Sequence, residues 1–122
     1  MSQLQTFSSS PVKASSIIGT SVVNPGHESL GDIKEMVIDP RTGKVAYAVV
    51  SFGGFLGMGA KLFAIPFSAF EYNVSENEYV LDVSQDRLKS APGFDSAHWP
   101  EMSDEKWNRD MSSYYDRAPY WE

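Results

Sequence analysis

Residues 32–52 read DIKEMVIDPRTGKVAYAVVSF, and the five in the middle, Asp39-Pro40-Arg41-Thr42-Gly43, decide how the fold is read. Asp at the first turn position, Pro at the second and Gly at a left-handed position describe a hairpin with a type I turn and a glycine bulge. The spacing predicts a strand over about Asp32 to Ile38 and an antiparallel partner over Lys44 to Phe52. In the partner, Val45, Tyr47 and Val49 share one face, while Ala46, Ala48, Val50 and Phe52 share the other. A strand with one wet face alternates apolar with polar residues. This one is apolar on both sides, so both faces are expected to be covered. Lys61 to Pro66 repeats the pattern, with Leu62 and Ala64 on one face and Phe63 and Ile65, followed by Phe67, on the other.

Working outward, a first strand is expected over Ser16 to Val23, then a turn at Asn24-Pro25-Gly26-His27-Glu28. Short strands are expected around Glu71–Val74 and Tyr79–Val83. Ser84 can cap a short helix over Gln85 to Ser90, which Ala91-Pro92-Gly93 stops. Short strands joined by tight turns point to a small closed or nearly closed barrel. Residues 1–14 are a polar, Ser-rich lead-in expected to be flexible, and 15–90 make the barrel. Residues 91–122 form an extension of another character, packing on the barrel or on a partner subunit. Seven of the sixteen aromatic residues fall in the last thirty-one positions. Ser103 can cap a helix over about Asp104 to Tyr115, in which Trp107, Met111 and Tyr114 form one apolar stripe.

Composition excludes several classes. There is no cysteine, hence no disulfide, thiolate metal site or cysteine nucleophile. The net charge is −6. Residues 1–70 carry four acidic and five basic groups, whereas 71–122 carry twelve acidic and five basic. Phosphate-backbone binding needs clustered Lys and Arg, so direct nucleic-acid binding is not expected. The N-terminus lacks the basic start and apolar core of a signal peptide. The uncharged run Val45 to Ala60 is sixteen residues long with four glycines, short of the about 20 apolar residues that span a bilayer. A cytoplasmic protein without membrane insertion is expected.

The succession Ile18-Gly19, Val22-Val23-Asn24, Leu30-Gly31-Asp32-Ile33, Val37 to Gly43, Ala46 to Gly57 and Lys61 to Pro66 resembles the PRC-barrel family. That fold is shared by the cytoplasmic part of the photosynthetic reaction-centre H subunit and the C-terminal domain of the ribosome maturation factor RimM. In the tail, Ala91-Pro92-Gly93-Phe94-Asp95, Trp99-Pro100 and Tyr120-Trp121-Glu122 resemble a bacterial stand-alone subgroup. The resemblance implies a mostly β, six-stranded antiparallel barrel with a role in protein interaction and assembly. It brings no catalytic residue and no cofactor. It does not extend to the membrane helix of the H subunit or the second domain of RimM, so neither photosynthesis nor ribosome maturation is implied.

Candidate sites are few. Gly53 to Gly59 has the glycines of a phosphate cradle, but it joins two strands instead of opening a helix. Phe55, Leu56 and Met58 on that loop are candidate contact residues, because clustered apolar side chains on a loop tip mark interaction surfaces. Trp107, Met111, Tyr114, Tyr115 and Trp121 are candidates in the tail, since Trp and Tyr are enriched in interface hot spots. His27 and His98 are expected to be solvated, and Asp32, Glu35 and Asp39 to be surface strand charges. The expected function is a non-enzymatic interaction domain, a homodimer with a protein partner. The alternative is a small-ligand or enzymatic barrel with its site near Gly53–Gly59.

Overall fold

The computed structural model describes residues 11–53 and 60–122. After a four-residue helix α1 (Ala14–Ile17) come strands β1 (Ser21–Val23), β2 (Ser29–Asp39), β3 (Lys44–Phe52) and β4 (Lys61–Pro66). A single 3-10 turn, Phe67–Ala69, leads into β5 (Phe70–Asn73) and β6 (Glu78–Leu81). Two helices close the chain, α2 (Gln85–Lys89) and α3 (Glu105–Tyr114). The six strands form one curled sheet in the order β4-β3-β2-β1-β6-β5. The architecture is the mostly β, six-stranded one expected, with one correction to its antiparallel character. β1 runs parallel to β6, with Val22 opposite Tyr79. A parallel neighbour needs a long crossover, and everything from β2 to β5 lies between these two strands.

The hairpin follows its turn chemistry. The Asp39 carbonyl accepts from the N–H groups of Thr42 (3.2 Å) and Gly43 (2.8 Å), and Gly43 has φ +77°, an angle that favours glycine. Val37 pairs with Tyr47 and Ile38 with Val45, which leaves Ala46 as a bulge. The bulge breaks the strict alternation, so Ala46 joins Tyr47 on the outer side of the sheet. A second bulge lies at Lys34, between Ile33 and Glu35. The expected strand over Ser16 to Val23 shortens to Ser21–Val23, because Ala14–Ile17 form a helical turn instead. Upstream of Ser21, Ile18 N–H donates to Ala14 O at 3.0 Å at the end of α1, while Gly19 N–H donates to Ile33 O at 2.7 Å and Thr20 O accepts from Ile33 N–H at 3.0 Å.

Both faces of β3 and β4 are covered, as the doubly apolar pattern requires. The inner core gathers Val22, Leu30, Ile33, Ala48, Val50, Phe63 and Ile65, with Leu88 of α2 plugging it. The Ser84 hydroxyl caps α2 by accepting from Arg87 N–H at 3.0 Å. The outer core consists of Ala46, Tyr47, Val49, Leu62, Ala64 and Met111, with Trp107, Phe94, Met102 and Tyr120 against it. The second cover is the chain's own tail.

Candidate functional site

Three contacts hold the tail on the outer face. First, Phe94 and Leu62 exchange backbone hydrogen bonds, at 2.8 and 2.9 Å, extending the β4 edge by one residue. Second, α3 lies over β3 and β4. Its cap is Asp104, whose carboxylate accepts from Lys106 N–H at 3.0 Å; Ser103, the expected cap, instead donates to Glu101 at 3.1 Å. Trp107 meets Tyr47 edge-on, with ring centroids 5.3 Å apart. Asn108, only 4% exposed, accepts from the Tyr47 hydroxyl and donates to the Met102 and Asp104 carbonyls, both at 2.9 Å. Burial pushes the Tyr47 hydroxyl up to about 12, so it remains a neutral donor. Third, the Tyr120 hydroxyl donates to Asp39 at 2.7 Å.

The expected stripe of Trp107, Met111 and Tyr114 is split. Trp107 and Met111 face the outer core, whereas Tyr114 and Tyr115 turn to the inner one. Tyr115 is buried there, while Tyr114 clamps α2: its hydroxyl donates to Arg87 O at 2.6 Å and its carbonyl accepts from the Arg87 guanidinium. The reason is geometric. The helix ends at Tyr114 with Tyr115 as its C-cap, and these two residues reach α2 and the inner core.

Between the hairpin and the end of the tail lies a groove of about 500 Å³, lined by Val37, Ile38, Arg41, Tyr47, Tyr120 and Trp121 among others. Its floor is Asp39, which the sequence reading placed on the surface but which is 7% exposed. Arg41 donates to this carboxylate from its backbone N–H (3.0 Å), Nε (3.3 Å) and Nη2 (3.2 Å). Those bonds, with the one from Tyr120, hold Asp39 down to about 2. The bond to the carboxylate likewise raises the Tyr120 hydroxyl above its ordinary value. A carboxylate this occupied has little basicity left for catalysis. The groove is open, with Ile38 49% and Trp121 39% exposed beside the charged Arg41 and Glu105, and Arg109 lies over the Trp121 ring at 5.4 Å.

The remaining candidates are scattered. Phe55, Leu56 and Met58 lie outside the described residues. A smaller depression of about 420 Å³ beside Gly53 is lined by Ser29, Asp32 and Ser51, with Asp32 its one ionisable group among the described residues. His98 pairs with Asp95 at 2.8 Å on the exposed side of the tail, and His27 sits in the first turn at φ +67°. No cluster of three His, Asp or Glu suited to a metal occurs among the described residues. No helix among them is long and apolar enough to cross a membrane. Sequence reasoning missed Asp39 and Asn108. The only hint of the first was its position in the turn; the second carried none.

No curated protein matches the chain. Among solved structures it is similar to one described as a 16S ribosomal RNA processing protein, RimM, from Pseudomonas aeruginosa, at 18% identity and a TM-score of 0.43. That alignment covers 65% of this chain and 48% of the other, so the chain spans about half the length of that protein. Residues 12–88 match the PRC-barrel domain family; the match ends in α2, short of the tail. On that match, which takes in more than half of its length, the chain belongs to the PRC-barrel domain family.

Proposed function

We propose that the chain is a non-enzymatic adaptor that self-associates and presents the groove beside Asp39 to another protein. One observation carries the reading: the groove of about 500 Å³ between hairpin and tail is open, exposes Ile38 and Trp121, and has its Asp39 carboxylate engaged by Arg41 and Tyr120. Exposed apolar residues gathered around a depression mark protein contacts more than chemistry. Membership of a family in which an assembly role recurs supports the same reading, as does an acidic surface unsuited to nucleic acid. A cytoplasmic location fits it.

The test is site-specific photo-crosslinking in cells of the native host. A photoreactive residue is placed at Ile38, at Trp121, or at Val74, which is 71% exposed on the far hairpin. The adaptor reading expects a discrete adduct from the first two positions and none from Val74. Equal labelling from all three, or none from Ile38 and Trp121, removes the groove as the contact surface.

A further inference from the structure

We propose that residues 14–18 are a strap with two seats: folded on themselves as α1 and a turn, or extended as a continuation of β1 along the open edge of β2. The inference goes beyond the adaptor reading and does not rest on it. Three observations carry it.

The first is an edge without a strand. β3 accompanies β2 from Asp32 to Asp39, whereas β1 pairs with it only as far as Asp32. Two more bonds follow on the β1 side, from Gly19 N–H to Ile33 O at 2.7 Å and from Ile33 N–H to Thr20 O at 3.0 Å. Beyond them, among the described residues, no hydrogen bond reaches β2 on that side as far as Ile38. From Lys34 to Ile38 the strand is exposed or half-buried, and its edge offers N–H and C=O groups at strand spacing.

The second is that the chain able to fill this edge is already in register. The bonds at Ile33 set Gly19 and Thr20 opposite it. Continuing β1 backwards from there brings Ile18 beside Lys34, Ser16 beside Met36 and Ala14 beside Ile38. A single type II turn over Ile17–Thr20 diverts it. Thr20 N–H donates to Ile17 O at 3.0 Å, and Ile18 has φ −62° and ψ 129°. Gly19 has φ +95°, the left-handed position that such a turn reserves for glycine.

The third is how little secures the folded seat. α1 has four residues, no side-chain cap and no buried residue, and one isolated turn is far below the length at which helices hold in water. Its anchor is Ile17, half-buried against the inner core, while Ile18 is 40% exposed. Both are β-branched, a shape that suits strands better than helices. Extension breaks the turn and the bonds from Ser16 N–H to Lys13 O and from Ile18 N–H to Ala14 O. A ladder along five residues of β2 replaces them. Hydrogen bonding is thus near balance between the seats, and the Ile17 contact favours the first.

The consequence falls on the hairpin. Val37 and Ile38 line the groove, and in the extended seat this part of β2 is paired on both sides.

NMR on the full chain decides, with Gly19→Ala as the lever. Alanine resists φ +95°, yet its Cβ would meet nothing within 4 Å, so the substitution penalises the turn without a clash. The extended seat should gain population on the order of tenfold. Contact between backbone protons of Ser16 and Met36 should strengthen in proportion, and amides of residues 34–38 that face away from β3 should exchange more slowly. Gly19→Asn, which tolerates the left-handed region, should shift the balance less. The proposal is overturned if Gly19→Ala leaves residues 14–17 helical and exchange along β2 unchanged. It is equally overturned if residues 14–18 lose their helix and gain no contact with β2. Should Gly19→Ala not fold, relaxation dispersion on the unsubstituted chain decides. Exchange on the microsecond-to-millisecond scale, shared at one rate by residues 14–18 and 34–38, supports the strap, and its absence from either segment overturns it.

Discussion

Removing the Asn108 amide is the most direct probe of the seam between tail and barrel. In Asn108→Ala the Tyr47 hydroxyl remains buried but loses its acceptor, a penalty of about 1–3 kcal/mol. The Met102 carbonyl loses the donor that reached it at 2.9 Å, for about 1 kcal/mol more. The Asp104 carbonyl keeps its helical bond from residue 108 N–H at 3.1 Å, so it adds little. Alanine's better helix propensity returns about 0.5 kcal/mol. The net loss is about 2–3 kcal/mol, or roughly 10 °C in Tm for a chain of this size. Tyr47→Phe keeps the ring against Trp107 and deletes only the hydroxyl, costing about 1 kcal/mol. In the double substitution there is no hydroxyl left to strand, so the two losses should fall short of their sum by about 1–2 kcal/mol. Urea unfolding of all four proteins at matched m-values gives this coupling energy. Losses that add to within about 0.5 kcal/mol would mean that Tyr47 and Asn108 do not meet in solution, and the seam described above would be wrong.

Gly31 has φ +111°, and a Cβ there would stand 2.0 Å from the Ser51 carbonyl oxygen. Gly31→Ala should therefore cost more than about 3 kcal/mol by denaturant unfolding, against about 1 kcal/mol for Gly43→Ala, where the space is open; equal costs would refute the close approach of β2 to β3. Asp39, held down to about 2 by Arg41 and Tyr120, contributes stability that is full above the ordinary carboxylate value of 3.8 and is lost as pH falls through about 2. Asp39→Asn should thus unfold with a shallower acid dependence between pH 4 and 2, and an unchanged slope would show that the carboxylate is not so engaged. Tyr47, pushed up to about 12 by burial, contributes stability present below pH 10 and lost as pH rises through about 12. Tyr47→Phe should lose less stability than the wild type over that alkaline range, as followed by unfolding at stepped pH.

The strands whose signals are local could be read directly. Turn chemistry at Asp39–Gly43 and the apolar runs on either side of the glycine loop place β3 and β4 at Lys44–Phe52 and Lys61–Pro66, the bounds expected. The same runs, apolar on both faces, called for a second cover. Local signals also have a resolution limit, since Ser103 and Asp104 are both good caps and only the bond to Lys106 N–H distinguishes them. A bulge such as Ala46 leaves no mark in composition, because an alanine fits either face.

Determined by the sequence alone were the strand-rich class, the hairpin, the absence of cysteine chemistry and the aromatic surplus that had to be buried somewhere. Only the tertiary structure decided where. Tyr47 finds Asn108 sixty-one positions away, Asp39 finds Tyr120 eighty-one away, and β1 pairs with β6 in parallel across the whole barrel. Capping, turn preference and alternation act over a few residues. Pairings at such separations are instead selected by which surfaces meet when the chain closes, so Asn108 reads as one more polar helix residue until Tyr47 is placed beneath it.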